Sequence, residues 1–121
     1  MSYVLKDRDI ATGAAVSRFE ALKLDTGAVV KTTAATEAVY GVAQDSADSG
    51  EEVDVVRRGL TKAIAGAAIS KGDKVMPAAD GKFVKDDGST ASRILAGEAY
   101  TAAAADGDVF FVILDQNTTA E

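Results

Sequence analysis

The chain has 121 residues with 13 basic and 19 acidic side chains, a net charge of −6, and no His, Cys or Trp. That length is one domain with room for one real core, although much of the 47% apolar content is alanine. The missing residue types exclude imidazole base chemistry, thiol chemistry and disulfides. The acidic balance disfavours nucleic acid and anionic membrane as partners, because Arg57-Arg58 is the only basic pair.

Residues 1–17 are the least regular stretch. Tyr3-Val4-Leu5 is apolar, Lys6-Asp7-Arg8-Asp9 is charged, and small residues follow. The segment has no secretory h-region and reads as an extended N-terminal arm. Strand signals begin at Arg18. Leu22 and Leu24 alternate around Lys23, Asp25-Thr26-Gly27 is a turn, and residues 28–32 return, which predicts a hairpin. Residues 37–44 read as a third strand and residues 45–50 as a polar loop. Val53 and Val55 then alternate with Glu52 and Asp54 in a strand over 51–57. Arg58-Gly59 reads as a tight turn before a partner strand at 60–65.

A short strand at 73–76 ends at Pro77, the only proline. Asp80-Gly81 predicts a hairpin returning through Lys82-Phe83-Val84, and the last two strands fall at 93–100 and 108–114. Residues 115–121 read as a loose tail. No segment carries a sustained 3.6-residue apolar period. The prediction is an all-β, single-domain barrel or sandwich of short strands over 18–114, with the arm at 1–17. A phrase recurs in it. Gly41-Val42-Ala43 with Gly50 and Val53-Asp54-Val55-Val56 is echoed by Gly97-Glu98-Ala99 with Gly107 and Val109-Phe110-Phe111-Val112. This raises the possibility of two related halves, 18–57 and 60–114.

No residue pattern points to catalysis. The serines sit in turn-like contexts, and no nucleophile elbow, phosphate loop or dinucleotide fingerprint occurs. Asp45, Asp48, Glu51, Glu52 and Asp54 lack the spacing of a calcium loop and read as a solvated face. No catalytic, cofactor or metal residue is therefore assigned. Lys71-Gly72-Asp73-Lys74 resembles the lysine turns of biotinyl and lipoyl carriers, which keeps a carrier or small-ligand β module as an alternative.

Leu24-Asp25-Thr26, Val29-Val30, Val39-Tyr40-Gly41-Val42-Ala43 and Gly50-Glu51-Glu52-Val53-Asp54-Val55-Val56 occur in that order. Ile69-Ser70-Lys71-Gly72-Asp73-Lys74-Val75, Asp80-Gly81-Lys82-Phe83-Val84 and Asp106-Gly107-Asp108-Val109 follow. In this order the phrases resemble the capsid decoration, or head cement, proteins of tailed bacteriophages. The resemblance implies a non-enzymatic virion protein, made in the bacterial cytoplasm and carried on the outer capsid surface. It implies the major capsid protein as partner, self-association as a homotrimer at three-fold or quasi-three-fold positions, and stabilisation of the expanded shell. It also implies that the arm runs onto the capsid through Tyr3, Val4, Leu5 and Ile10, and that removing it leaves the β domain folded. The competing expectation for those four residues is packing on the protein's own core. Another virion β domain, from a tail or spike, is a further alternative.

Overall fold

A computed structural model describes residues 5–119, with side chains described for 10–115. The fold is all-β. Its strands are β1 (Leu5–Ala11), β2 (Ala21–Asp25), β3 (Ala28–Lys31), β4 (Gly41–Ala43), β5 (Glu52–Ile64), β6 (Lys74–Pro77), β7 (Phe83–Lys85), β8 (Ile94–Ala99) and β9 (Val109–Thr119). Every pairing between these strands is antiparallel. The order runs β3-β2-β4-β5-β9-β8-β6-β7, with β1 also on β5.

The expected turn at Arg58-Gly59 is absent. β5 runs through it as one strand of 13 residues. Gly59 has φ +98°, which a side chain would resist, and it marks a change of partners. Up to Arg58 the strand pairs with β1 and β4, and from Gly59 it pairs with β9. A glycine that bends a continuous strand and one that ends it look alike in sequence.

The strand thus joins two halves of the same plan. In the first, β1, β5, β4, β2 and β3 curl until Thr12 bridges Val29; in the second, β5, β9, β8, β6 and β7 curl until Ala65 bridges Phe83. The loops repeat as well. Val16 and Ala47 exchange backbone hydrogen bonds of 2.9 and 3.1 Å, and Ile69 and Ala103 exchange two of 2.9 Å. Glu20 accepts from Ser17 N at 2.8 Å as Asp73 accepts from Ser70 N at 2.9 Å. Glu51 accepts from Asp48 N at 2.8 Å as Asp108 accepts from Ala105 N at 3.1 Å. The repeat expected over 18–57 and 60–114 is therefore present but begins earlier, because β1 holds in the first half the place that residues 59–64 hold in the second.

Each half has its own core. Val16, Leu22, Val29, Ala43, Val53 and Val55 form the first; Ile69, Val75, Phe83, Phe110, Val112 and Leu114 centre the second. Four residues of the first half, Ala21, Val39, Val42 and Val56, belong to the second core, so the halves share buried surface and form one unit.

Two sequence expectations shift at the ends. The segment read as an arm is paired with β5 from Leu5 to Ala11. Thr12 continues the docking, with its buried hydroxyl donating to Asp48 O at 2.7 Å. The stretch read as a tail extends β9, where Thr118 and Thr119 pair with Leu95 and Ile94. Backbone pairing needs no apolar side chain, so periodicity carried no sign of it.

The strand expected over 37–44 shortens to Gly41–Ala43 because Glu37 folds the preceding residues into a turn. Its carboxylate accepts from Thr33 N (2.6 Å), the Thr33 hydroxyl (2.7 Å), Ala34 N (3.1 Å) and Lys23 Nζ (2.6 Å). Burial is the largest single influence and pushes its pKa up, but the hydrogen bonds from Lys23, Thr33 and Ala34 together outweigh it and hold the group at about 2. A depressed folded pKa stabilises above the unfolded value of 4.5 and is lost as pH falls towards 2. The shift corresponds to about 3 kcal/mol at most. Urea titrations of the wild type and Glu37→Gln at pH 7 and pH 3 are expected to show the gap between them shrinking at the lower pH. Equal gaps at both would contradict this role.

Candidate functional site

Among the described residues no group of three or more acidic side chains is placed to hold a metal ion. The acidic residues with the clearest shifts are structural. Asp86 pairs with the buried Arg93 guanidinium, and Asp87 is held at about 2 by the Thr90 hydroxyl, then by Thr90 and Ser89 backbone N–H groups. They pin the loop after β7 as Glu37 pins the loop after β3. Lys74 begins β6 and forms an ion pair with Glu98 at 3.2 Å. It stands at a strand start rather than at a hairpin tip, the position the carrier alternative requires.

The distinctive surface is an apolar sheet face in the second half. Val109, Phe111 and Ile113 alternate along β9 and are 51%, 36% and 39% exposed. They lie opposite Ile64, Lys62 and Leu60 of β5. On the other side Tyr100, 52% exposed, donates its N–H to Phe111 O at 2.8 Å. The inward residues Phe110, Val112 and Leu114 fill the second core. Lys62 Nζ sits 5.7 Å from the Phe111 ring and 5.9 Å from the Phe19 ring, a cation between two aromatic faces.

Phe19 has φ +71°, and its counterpart in the second half is Gly72 at +90°. A bulky side chain in that region costs on the order of 1–2 kcal/mol. The ring packs against the second core and lies beside Lys62, contacts that offset this cost.

The first half shows that the fold does not require this character. Glu52 and Asp54 stand on β5 where Val109 and Phe111 stand on β9, and both are exposed. Sequence reasoning placed a strand here without assigning its faces. The signal was the unbroken run Val109-Phe110-Phe111-Val112-Ile113-Leu114, which a strand with one wet face does not need.

Of the residues expected to touch a capsid, the two described, Leu5 and Ile10, lie on β1 rather than on β9. Tyr3 and Val4 lie outside the described residues. Leu5 pairs with Arg58 at the start of β1, and Ile10 is half-buried against the first core. A concavity of about 380 Å³ lies between Lys23, Leu24, Glu37, Tyr40 and Arg57, with the Arg57 guanidinium 4.0 Å from the Tyr40 ring centre.

A search of curated proteins returns no match. Among solved structures the chain resembles the N base of head fiber gp8.5 in bacteriophage phi29, at 20% identity over 100% of both chains and a TM-score of 0.72. That likeness establishes a shared fold. The family model described as phage cement protein matches residues 7–114, from the first paired strand to the last residue of the second core, and by that match the chain belongs to the phage cement protein family.

Proposed function

We propose that this protein binds the outer surface of the expanded phage capsid and braces it, as a homotrimer at three-fold or quasi-three-fold positions. The observation that carries the reading is the cement-family match over 7–114. The apolar sheet face supports it, since a contiguous exposed apolar patch marks a contact surface.

The physics is linkage. A ligand that binds only the expanded lattice stabilises it by about 2.7 kcal/mol per site at a hundredfold excess over Kd. Modest contacts therefore sum to a large effect over a shell of repeated sites. Selectivity requires different affinities for the two lattices, which expansion supplies if the site forms where neighbouring capsid subunits meet. Nothing in this bracing needs a nucleophile or a base.

The test is sedimentation of the purified protein with undecorated expanded capsids and with unexpanded ones. Saturable binding to the expanded form is expected, with more force or heat needed to rupture decorated shells. Absence of saturable binding would overturn the reading.

A further inference from the structure

The two halves lock together through a plug and a slot. The plug is the turn of the β6–β7 hairpin, where Asp80 and Gly81 have φ of 64° and 70°. The slot lies in the first half, between the start of β2 and the end of β3. Gly81 N donates to Thr32 O at 3.1 Å, and the Thr32 hydroxyl donates to Ala78 O at 2.9 Å. Lys31 Nζ stands 3.7 Å from Asp80 Oδ1. A side chain on Gly81 would place Cβ 2.8 Å from Glu20 Cβ. Pro77, at the hairpin base, and Thr32 are fully buried.

Each part has a counterpart that this contact leaves unused. Strand register equates Leu22 and Lys31 with Val75 and Lys85, so the slot residues Glu20, Ala21, Lys31 and Thr32 correspond to Asp73, Lys74, Lys85 and Asp86. With Gly72, those four line an open pocket of about 290 Å³. The counterpart of the plug is the β2–β3 turn, where Thr26 and Gly27 have φ of 48° and 85°. Leu24 takes the place of the buried Pro77, yet is 54% exposed.

We propose that the β2–β3 turn of a second copy enters the pocket between β6 and β7, repeating between molecules the contact that joins the halves within one. Charge fits the pairing. Thr26 takes the place of Asp80, and Asp25 beside it would bring a carboxylate to the turn that faces Lys85, the counterpart of Lys31, across an interface between two acidic chains. The neighbouring surfaces fit as well. Lys74, Glu98 and Ile113 form a row across β6, β8 and β9, and the matching row of the first half, Ala21, Val42 and Val56, is buried in the second core. Of the large exposed apolar residues among the described ones, Leu24 lies beside the turn and Ile113 in that row, with Phe111 next along its face of β9. The contact is head-to-tail, so it closes into a ring when its rotation allows. It deepens the self-association in the proposed function by naming the surfaces that meet.

The chain has no cysteine, which permits a direct test. Thr26→Cys and Lys74→Cys proteins are oxidised separately and mixed, in solution and on expanded capsids. A cross-linked pair is expected in the mixture and not in either protein alone. Asp25→Lys and Lys85→Glu, both at exposed positions, are each expected to weaken association about tenfold by sedimentation velocity, and to restore it when combined. Self-cross-linking of either single variant, or no cross-link in the mixture in either setting, overturns the inference. If wild-type protein still sediments with capsids in that case, the capsid reading stands without it. A cross-link with no capsid binding supports the pairing and overturns the capsid reading instead.

Discussion

Gly97→Ala is expected to unfold the domain or to destabilise it by about 4 kcal/mol or more. A Cβ on Gly97 would lie 2.1 Å from Ile113 O, 3.0 Å from its carbonyl carbon and 3.2 Å from Leu114 Cα. These are backbone atoms of a paired strand, so no rotamer change relieves the overlap. Gly97 lies where the β8–β9 register shifts, and the bend brings the two backbones together there. Gly41, its counterpart, would place Cβ 2.6 Å from Val56 O and 2.4 Å from Val55 Cγ1. The comparison protein is Gly107→Ala, where φ is +92° but nothing lies within 4 Å of the added Cβ. That variant is expected to cost about 1–2 kcal/mol, the ordinary penalty of a side chain at positive φ. Urea denaturation of the wild type and both variants separates close approach from backbone preference. Similar midpoints for the two variants would refute the close approach at Gly97.

Those glycines also explain how much of the fold could be read beforehand. Gly41-Val42-Ala43 and Gly97-Glu98-Ala99 stood out as an echo because the β4–β5 and β8–β9 contacts both demand a residue without a side chain. The hairpins at Asp25-Thr26-Gly27 and Asp80-Gly81 were legible for the same kind of reason, since their central residues need positive φ. What stayed hidden depended on backbone pairing between distant segments. Charges at Lys6 to Asp9 and polar residues after Leu114 hide strands whose partners are β5 and β8. The open pocket was hidden more deeply. Asp73 and Lys74 read as the start of a strand and Lys85 and Asp86 as the start of a polar loop, and only their counterparts around Thr32 show what such a slot receives.

Removing residues 1–11 is expected to cost the first half its fold, not merely its grip on a capsid. A free arm could be deleted with the β body intact, but β1 is paired with β5 from Leu5 to Ala11. Its counterpart in the second half is the stretch of β5 that pairs with β9 from Gly59 to Ile64, which is integral to the sheet. Without β1, the side of β5 that faces it loses its hydrogen-bond partners, and Val53 and Val55, now 3% and 0% exposed, lose the cover of Ile10. Burying a valine is worth about 1.5–3 kcal/mol. Losing that cover and a row of backbone hydrogen bonds is large against a total stability of about 5–15 kcal/mol. A melting temperature lower by about 15 °C or more is expected for the truncated protein, with amide protection lost first in β2, β3 and β4. Tyr3→Ala and Val4→Ala provide the control. If the N-terminal segment also contacts the capsid, these changes weaken sedimentation with expanded capsids while the melting temperature holds. A truncated protein that melts like the wild type would show that β1 is dispensable to the fold and would return the segment to the role of an arm.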